Sequence, residues 1–313
     1  MKYIFFVLSL LASLLINSQD FKSIDSIVDR YPNKFNSISE FADKVSSNFS
    51  TVLEKTRAVY YWVSNHVFYD YNEAKINYRK RYYFKNQKEL EIFRRRYAEN
   101  VLRRKTGICE GYSQLMKFVL RDLGIKCEIV SGYAKNQFKH IGVIQKNTSH
   151  AWNAVFVDGK WHLLDATWST GNDEDEPGKF EFDDFYFFTK PELMILSHYA
   201  KDSKWLLLEK PMSKSAFFYA PIFYNYYHKS GLALTKMNGL IKSSHQITLT
   251  FDLIDEANTY SYYIKGSRSR YSQPLKITKI GDKYVAKIPF RKGRKTGLTV
   301  YANRKACMTF KIY

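Results

Sequence analysis

Apolar residues at Leu115, Met116, Val119, Leu120 and Leu123, followed by Gly124, repeat with the spacing of a helix that ends at a glycine stop. The residues just before them, Thr106-Gly107-Ile108-Cys109-Glu110-Gly111-Tyr112, therefore put Cys109 at or near the start of that helix. The pattern changes at Ser149. Residues 150–157 and 160–167 are strand-like runs around Asp158-Gly159, a dipeptide that predicts a two-residue hairpin loop. In that register Val157 faces Lys160, Trp152 faces Asp165 and His150 faces Thr167. His150, Trp152 and Asp165 then share one face of the hairpin, and His162 points to the other.

Helix spacing also marks residues 51–66, with Val52, Lys55, Val59, Trp62 and Val63 on one side, and the segment from Arg79 to Lys105, with Leu90, Phe93, Tyr97 and Val101. Residues 21–49 read as short amphipathic pieces around Tyr31-Pro32-Asn33 and hold no identifiable catalytic group. After Pro211 the texture turns to alternation. Residues 246–252, 260–265, 283–289, 298–301 and 308–313 predict strands, several separated by glycine-containing turns, and short strands at such spacing point to a small β-sandwich acting as a binding or positioning module.

With 313 residues, 45% of them hydrophobic, the chain can bury more than one domain's core. Lys2, the nearly unbroken apolar run 3–16 and the small-residue step at Asn17-Ser18 predict a secretory signal cut after Ser18, with an apolar core shorter than a membrane span needs. No second stretch approaches spanning length, so the expectation is a secreted or periplasmic protein. The expected organisation is a signal at 1–18, a lead-in at 19–44, a catalytic domain at 45–212 and a C-terminal β-sandwich domain at 213–313.

Charge adds a candidate surface. The formal net charge is +19, and between Arg79 and Lys105 eleven Lys or Arg stand against three Glu. Such a segment would attract an acidic polymer or an anionic envelope surface, and the alternative is a solvated helix face that keeps the protein soluble. Asn172-Asp173-Glu174-Asp175-Glu176-Pro177-Gly178 is an acidic loop without the ligand spacing of a calcium site. With no His-Glu-x-x-His, no paired Cys-x-x-Cys and no phosphate-cradling glycine loop, no metal, nucleotide or other cofactor is expected. The cysteines number three, Cys109, Cys127 and Cys307, too few for a disulfide framework, with a Cys127–Cys307 bridge left open.

Candidate chemistry gathers on the opening stretch. Unpaired N–H groups and the positive dipole end at a helix start favour a thiolate, which a cysteine needs to act as a nucleophile. A buried structural cysteine is the bland alternative for Cys109 taken alone. The glycines flanking it, Gly107 and Gly111, allow another chain segment or a substrate to come close. A histidine on a strand and an aspartate beside it supply base and orienting group, and an inward Asp165 among Trp161, Leu163 and Leu164 is costly unless paired.

At this point the residues resemble a known family. Gly107-Ile108-Cys109-Glu110-Gly111-Tyr112, His150-Ala151-Trp152-Asn153-Ala154-Val155 and Asp165-Ala166-Thr167-Trp168 are similar to the three motifs of the transglutaminase-like superfamily of papain-type thiol enzymes, and within it to the kyphoscoliosis-peptidase-like branch. The likeness runs from Val45 to Pro211, through residues 60–70 upstream and Lys190-Pro191-Glu192, Ser197-His198 and Lys204-Trp205 downstream. It implies an α+β, papain-like core followed by the all-β domain, and a Cys109–His150–Asp165 triad that works through an acyl-enzyme on a protein or peptide substrate. In that reading the Cys109 N–H helps hold the oxyanion and Trp152 and Trp168 wall the cleft. Departures are Ser169 and Ala200, where the branch favours glycine and proline. Ile108 and Glu110 also stand where crosslinking transglutaminases carry glutamine and tryptophan. Hydrolysis is therefore the default, with amine transfer, or a non-catalytic scaffold that keeps the fold, as the alternatives.

Overall fold

The structure is a computed structural model that describes residues 21–77, 84–171, 181–242, 245–267, 269–291 and 296–313. The predicted signal at 1–18, the acidic loop 172–178 and residues 79–83 of the basic segment lie outside the described residues. The chain divides into two units. One comprises Met1–Cys127, Phe156–Gly159 and Asp165–Phe187, the other Glu128–Val155, Lys160–Leu164 and Phe188–Tyr313.

The first unit is helical, and several of its helices start at a side chain that caps them. α1 spans Lys22–Val28, and α2, Ile38–Asn48, begins at Ser37, whose hydroxyl accepts the Glu40 N–H at 3.1 Å. α3, Val52–His66, opens with a full capping box: the Glu54 N–H donates to Thr51 Oγ1 at 3.2 Å, and the Thr51 N–H donates to Glu54 Oε2 at 3.0 Å. Its inner face buries Val59, Trp62 and Val63, as the spacing predicts, whereas Val52, expected on the same side, is exposed at the first turn, and Trp62 packs on Phe35 and Phe41. A buried Arg57 donates from Nε and Nη2 to Asp25 at 2.8 and 2.6 Å and from Nη1 to Asp184, so α1 and the later chain are fixed to α3 by paired charge.

After α3 come β1, Phe68–Tyr69, α4, Tyr71–Asn77, α5, Gln87–Arg104, β2, Thr106–Gly107, and α6, Cys109–Asp122. β1 and β2 pair in parallel with Tyr69 opposite Gly107. α5 lies against α6 because Gly111 has no side chain. A Cβ there would stand 2.9 Å from Val101 Cγ2 and 3.1 Å from Tyr97 Oη. The segment that uses the space at this glycine is thus α5.

The second unit is mostly sheet. β3, Cys127–Ala134, β4, His150–Val157, β5, Lys160–Leu164, and β6, His198–Ala200, form a sheet in the order β5-β4-β3-β6. The β4–β5 loop consists of Asp158 and Gly159 at φ 49° and 78°, the two positive values of a type I′ turn, so the two-residue loop predicted from Asp-Gly is the one observed. The strand ends sooner than predicted. β5 stops at Leu164 and the chain turns into α7, Ala166–Ser169, so Thr167 is helical and not a strand residue opposite His150. The cause is the Asp165 side chain, which caps α7.

Two further short helices follow, α8, Pro191–Met194, and α9, Lys214–Tyr219, and then the C-terminal strands. β10, Gln246–Leu253, β13, Ile277–Ile280, β14, Lys283–Pro289, and the short β8, Ala233–Leu234, make one antiparallel sheet. β11, Tyr260–Ile264, β12, Gln273–Pro274, β15, Thr296–Ala302, β16, Lys305–Ile312, and the short β7, Ile222–Phe223, make another, with β9, Leu240–Ile241, beside β16. Alternate residues of both sheets enter one core: Ile247, Leu249 and Phe251 from β10, Ala286 and Ile288 from β14, Leu298 and Val300 from β15, and Met308 and Phe310 from β16. The predicted α+β class is the one observed, helices and an antiparallel sheet followed by C-terminal antiparallel sheets. No described helix is long and apolar enough to cross a membrane.

Candidate active site

In the first unit Cys109 is the first residue of α6, as the helix spacing predicts, and is partly exposed. The N-cap is Ile108, in extended conformation at φ −92° and ψ 177°, and it offers no side-chain acceptor to the first turn. The positive end of α6 is therefore not occupied by its own cap. The side chain of Glu110, next along, accepts a bond from Gln114 Nε2 at 2.7 Å, one turn further into the helix.

Two phenols feel the charge of the cysteine. Burial pushes the Tyr69 hydroxyl well up, and neighbouring Cys109, Tyr71 and Asp165 push it further. Tyr97, on α5, is raised by burial and by its 2.8 Å bond to Glu73 Oε1, with Glu110 and Cys109 adding to it. Both stay neutral at ordinary pH. Cys109 and Asp165 thus lie within electrostatic reach of one phenol, that of Tyr69.

Asp165 is 1% exposed, and its backbone N–H donates to Tyr186 O at 3.0 Å. Its Oδ1 accepts the N–H groups of Thr167 at 2.8 Å and Trp168 at 3.1 Å, which makes it the N-cap of α7. The inward acid expected on a strand is therefore an inward acid at a strand end, partly satisfied by backbone donors. Trp168 stands edge-on to Tyr186 at 5.4 Å.

In the second unit His150 is the first residue of β4 and 8% exposed. Just before it, the Ser149 N–H donates to Gly132 O at 2.8 Å and the Ser149 hydroxyl accepts the Ala134 N–H at 3.2 Å, so β3 fixes the point where the histidine emerges. The imidazole stacks near-parallel to Trp152 with centroids 6.0 Å apart and meets the His198 ring at 5.2 Å. Trp152 is 1% exposed and its place is core beside the histidine. His162 stacks on Phe188 at 4.3 Å. Cys109, Cys127 and Cys307 form no disulfide among the described residues, so the Cys127–Cys307 bridge left open by the sequence is not formed.

Residues 39–166 match the family model of the transglutaminase-like superfamily. The chain is 31% identical over 225 residues to kyphoscoliosis peptidase from Homo sapiens, a match that covers 71% of this chain and 31% of that protein. The chain belongs to the transglutaminase-like superfamily. The chain is also similar to kyphoscoliosis peptidase from Mus musculus, 28% identical over 248 residues with 77% of this chain and 35% of that protein covered. The chain spans about a third of the length of these two relatives. A solved structure of a TGase aligns at 20% identity and a TM-score of 0.29, covering 57% of this chain and 41% of that one.

Sequence reasoning assigned no task to Tyr69, Tyr97 or His198. Each stood in the sequence only as a pattern residue. The signal that finds them is tertiary: the packing of α5 on α6 and the pairing of β3 with β6.

Proposed function

We propose that this protein is a thiol enzyme of the transglutaminase-like class that hydrolyses a peptide or carboxamide bond, with Cys109 as nucleophile, His150 as base and Asp165 as the group that orients His150. The observation that carries the reading is a partly exposed cysteine at an uncapped helix start, within residues 39–166 that match the transglutaminase-like superfamily and that also bury the Asp165 carboxylate. His150 supports it as the first residue of a strand whose hairpin partner, β5, runs directly into Asp165.

In this reading the Cys109 sulfur attacks the carbonyl carbon and the oxyanion takes a bond from the Cys109 N–H, free at the first helical position. His150 delivers the thiol proton to the departing amine, leaving a thioester. Water, deprotonated by the same imidazole, then cleaves the thioester and restores the thiol. Amine transfer is the same sequence with an amine in place of water, and Ile108 and Glu110 beside the cysteine favour hydrolysis.

Incubating wild type and Cys109→Ala with a peptide library, with and without a primary amine, tests the assignment. Cleaved peptides from wild type alone are the expected products. Amine adducts would replace hydrolysis by transfer, and identical product profiles from the two proteins would leave a non-catalytic scaffold. We also propose that Arg96, Arg103 and Arg104 of α5, exposed and in no ion pair among the described residues, bind acidic polymers, and that the predicted signal directs export.

A further inference from the structure

His198 is buried to 2% exposure beside the proposed base, and the mechanism above gives it no task. It opens β6, which pairs with β3 so that His198 faces Ala134 and Ala200 faces Gly132. Its ring centroid lies 5.2 Å from that of His150, tilted by 54°, and 5.1 Å from that of Trp152, edge-on at 79°. Trp152 in turn stacks on His150 at 26°. The three rings thus form one group drawn from β4 and β6, with β3 between them in the sheet.

They fit because of Gly132. A Cβ at that position would lie 2.4 Å from Trp152 Cη2 and 2.3 Å from Tyr199 O, so only a glycine leaves room for the indole over β3. The orientation of His198 is itself set: its Nδ1 shares a 2.8 Å hydrogen bond with Ser197 Oγ, and Ser197 is buried as well. An aromatic hydrocarbon would fill this space without the cost of burying ring nitrogens. An imidazole tethered by a hydroxyl fixes a ring plane that packing alone leaves free to rotate.

We infer that His198, held by Ser197, is a positioning residue that together with Trp152 sets the plane of the His150 imidazole. The inference rests on the proposed role of His150 as base. Proton transfer requires the base nitrogen within hydrogen-bond reach and aligned, and a misplacement on the order of 1 Å costs roughly a hundredfold in rate.

The test compares wild type, His198→Ala, His198→Phe, Ser197→Ala and Cys109→Ala, measuring kcat and KM on a peptide that wild type cleaves, thermal unfolding, and the ring nitrogen shifts of His150 by 15N NMR. The expected result for His198→Ala is a kcat at least about tenfold lower per folded molecule with KM little changed, and His150 nitrogen shifts that move toward tautomer averaging. His198→Phe should recover thermal stability but not kcat, and Ser197→Ala should lower kcat in the same direction by less. Unchanged His150 shifts and unchanged kcat in a destabilised His198→Ala protein, or full recovery of kcat by phenylalanine, would overturn the inference. Full turnover by Cys109→Ala would instead bring down the thiol-enzyme reading on which it stands.

Discussion

Asp165 has two jobs that a single substitution can separate. As N-cap of α7 it accepts two backbone N–H groups through Oδ1, and asparagine caps helices about as well as aspartate. Asp165→Asn should therefore unfold within about 1 kcal/mol of wild type. As orienting group it needs its charge, and without it turnover should fall by orders of magnitude. Thermal unfolding and turnover measured on the same sample decide the matter: a destabilised protein with normal turnover per folded molecule would strike Asp165 from the site. The thiols make a second contrast at this scale. Burial pushes the Cys307 thiol up to about 11, whereas Cys109 is partly exposed at the positive end of a helix. Iodoacetamide at neutral pH should place one adduct on the native protein, at Cys109, and further adducts only after denaturation. Mass spectrometry showing Cys307 modified first would contradict this.

At the scale of elements, what was legible in the sequence is what short-range pattern controls. Five apolar positions and a glycine fixed α6 and with it the place of Cys109, and Asp158-Gly159 fixed the hairpin loop and the start of β5. The alternation after Pro211 located β10, β11, β14, β15 and β16 to within a few residues. The short strands β7, β8, β9 and β12 were missed because two residues carry no period. The end of β5 was misread because Asp165 can continue a strand or cap a helix, and the choice is made by its side-chain bonds to Thr167 and Trp168. His198 was invisible as a neighbour of His150 because 48 residues and the β3–β6 pairing bring them together. The α5–α6 contact gives this scale its prediction. Gly111→Ala gains about 1 kcal/mol of helix propensity but forces a methyl to within 2.9 Å of Val101 Cγ2, and overpacking of that kind costs about 1–3 kcal/mol. The variant should be less stable than wild type, and adding Val101→Ala should return part of the loss. Chemical denaturation of the single and double variants checks both statements, and a stabilised single variant would show that α5 yields at this contact.

For the whole molecule, the C-terminal sheets carry no group that joins the proposed chemistry, yet they are bound into the unit that holds His150. Lys135, the residue after β3, is fully buried and its Nζ donates to Phe217 O and, at 2.9 Å, to Ala220 O, at the end of α9 where the C-terminal strands begin. The ring of Phe217 lies 4.8 Å from the same Nζ. Further along, the Gly142 N–H donates to Phe218 O at 2.8 Å and Lys311 Nζ to Ile141 O at 3.3 Å, so the first half of the β3–β4 loop that leads to His150 is tied to the later chain. Burial lowers the Lys135 amine from the ordinary 10.5 to about 7, with His140 the titratable neighbour that feels its charge. The consequence for stability follows from proton linkage. Between about pH 7 and 10.5 the unfolded chain holds a proton that folded Lys135 has lost, so this residue makes stability rise with pH across that window, and its full penalty is present below it. Lys135→Met removes the ionisation and keeps the apolar stem. The stability of wild type relative to Lys135→Met should accordingly increase from pH 6 to pH 9, a change that tyrosines shifted above their ordinary range do not mask, since both proteins share them. Parallel unfolding curves for the two proteins over that range would mean that the buried amine titrates no differently in the folded and unfolded chains, and the tie between β3 and α9 would then be made by a charged ammonium throughout that range.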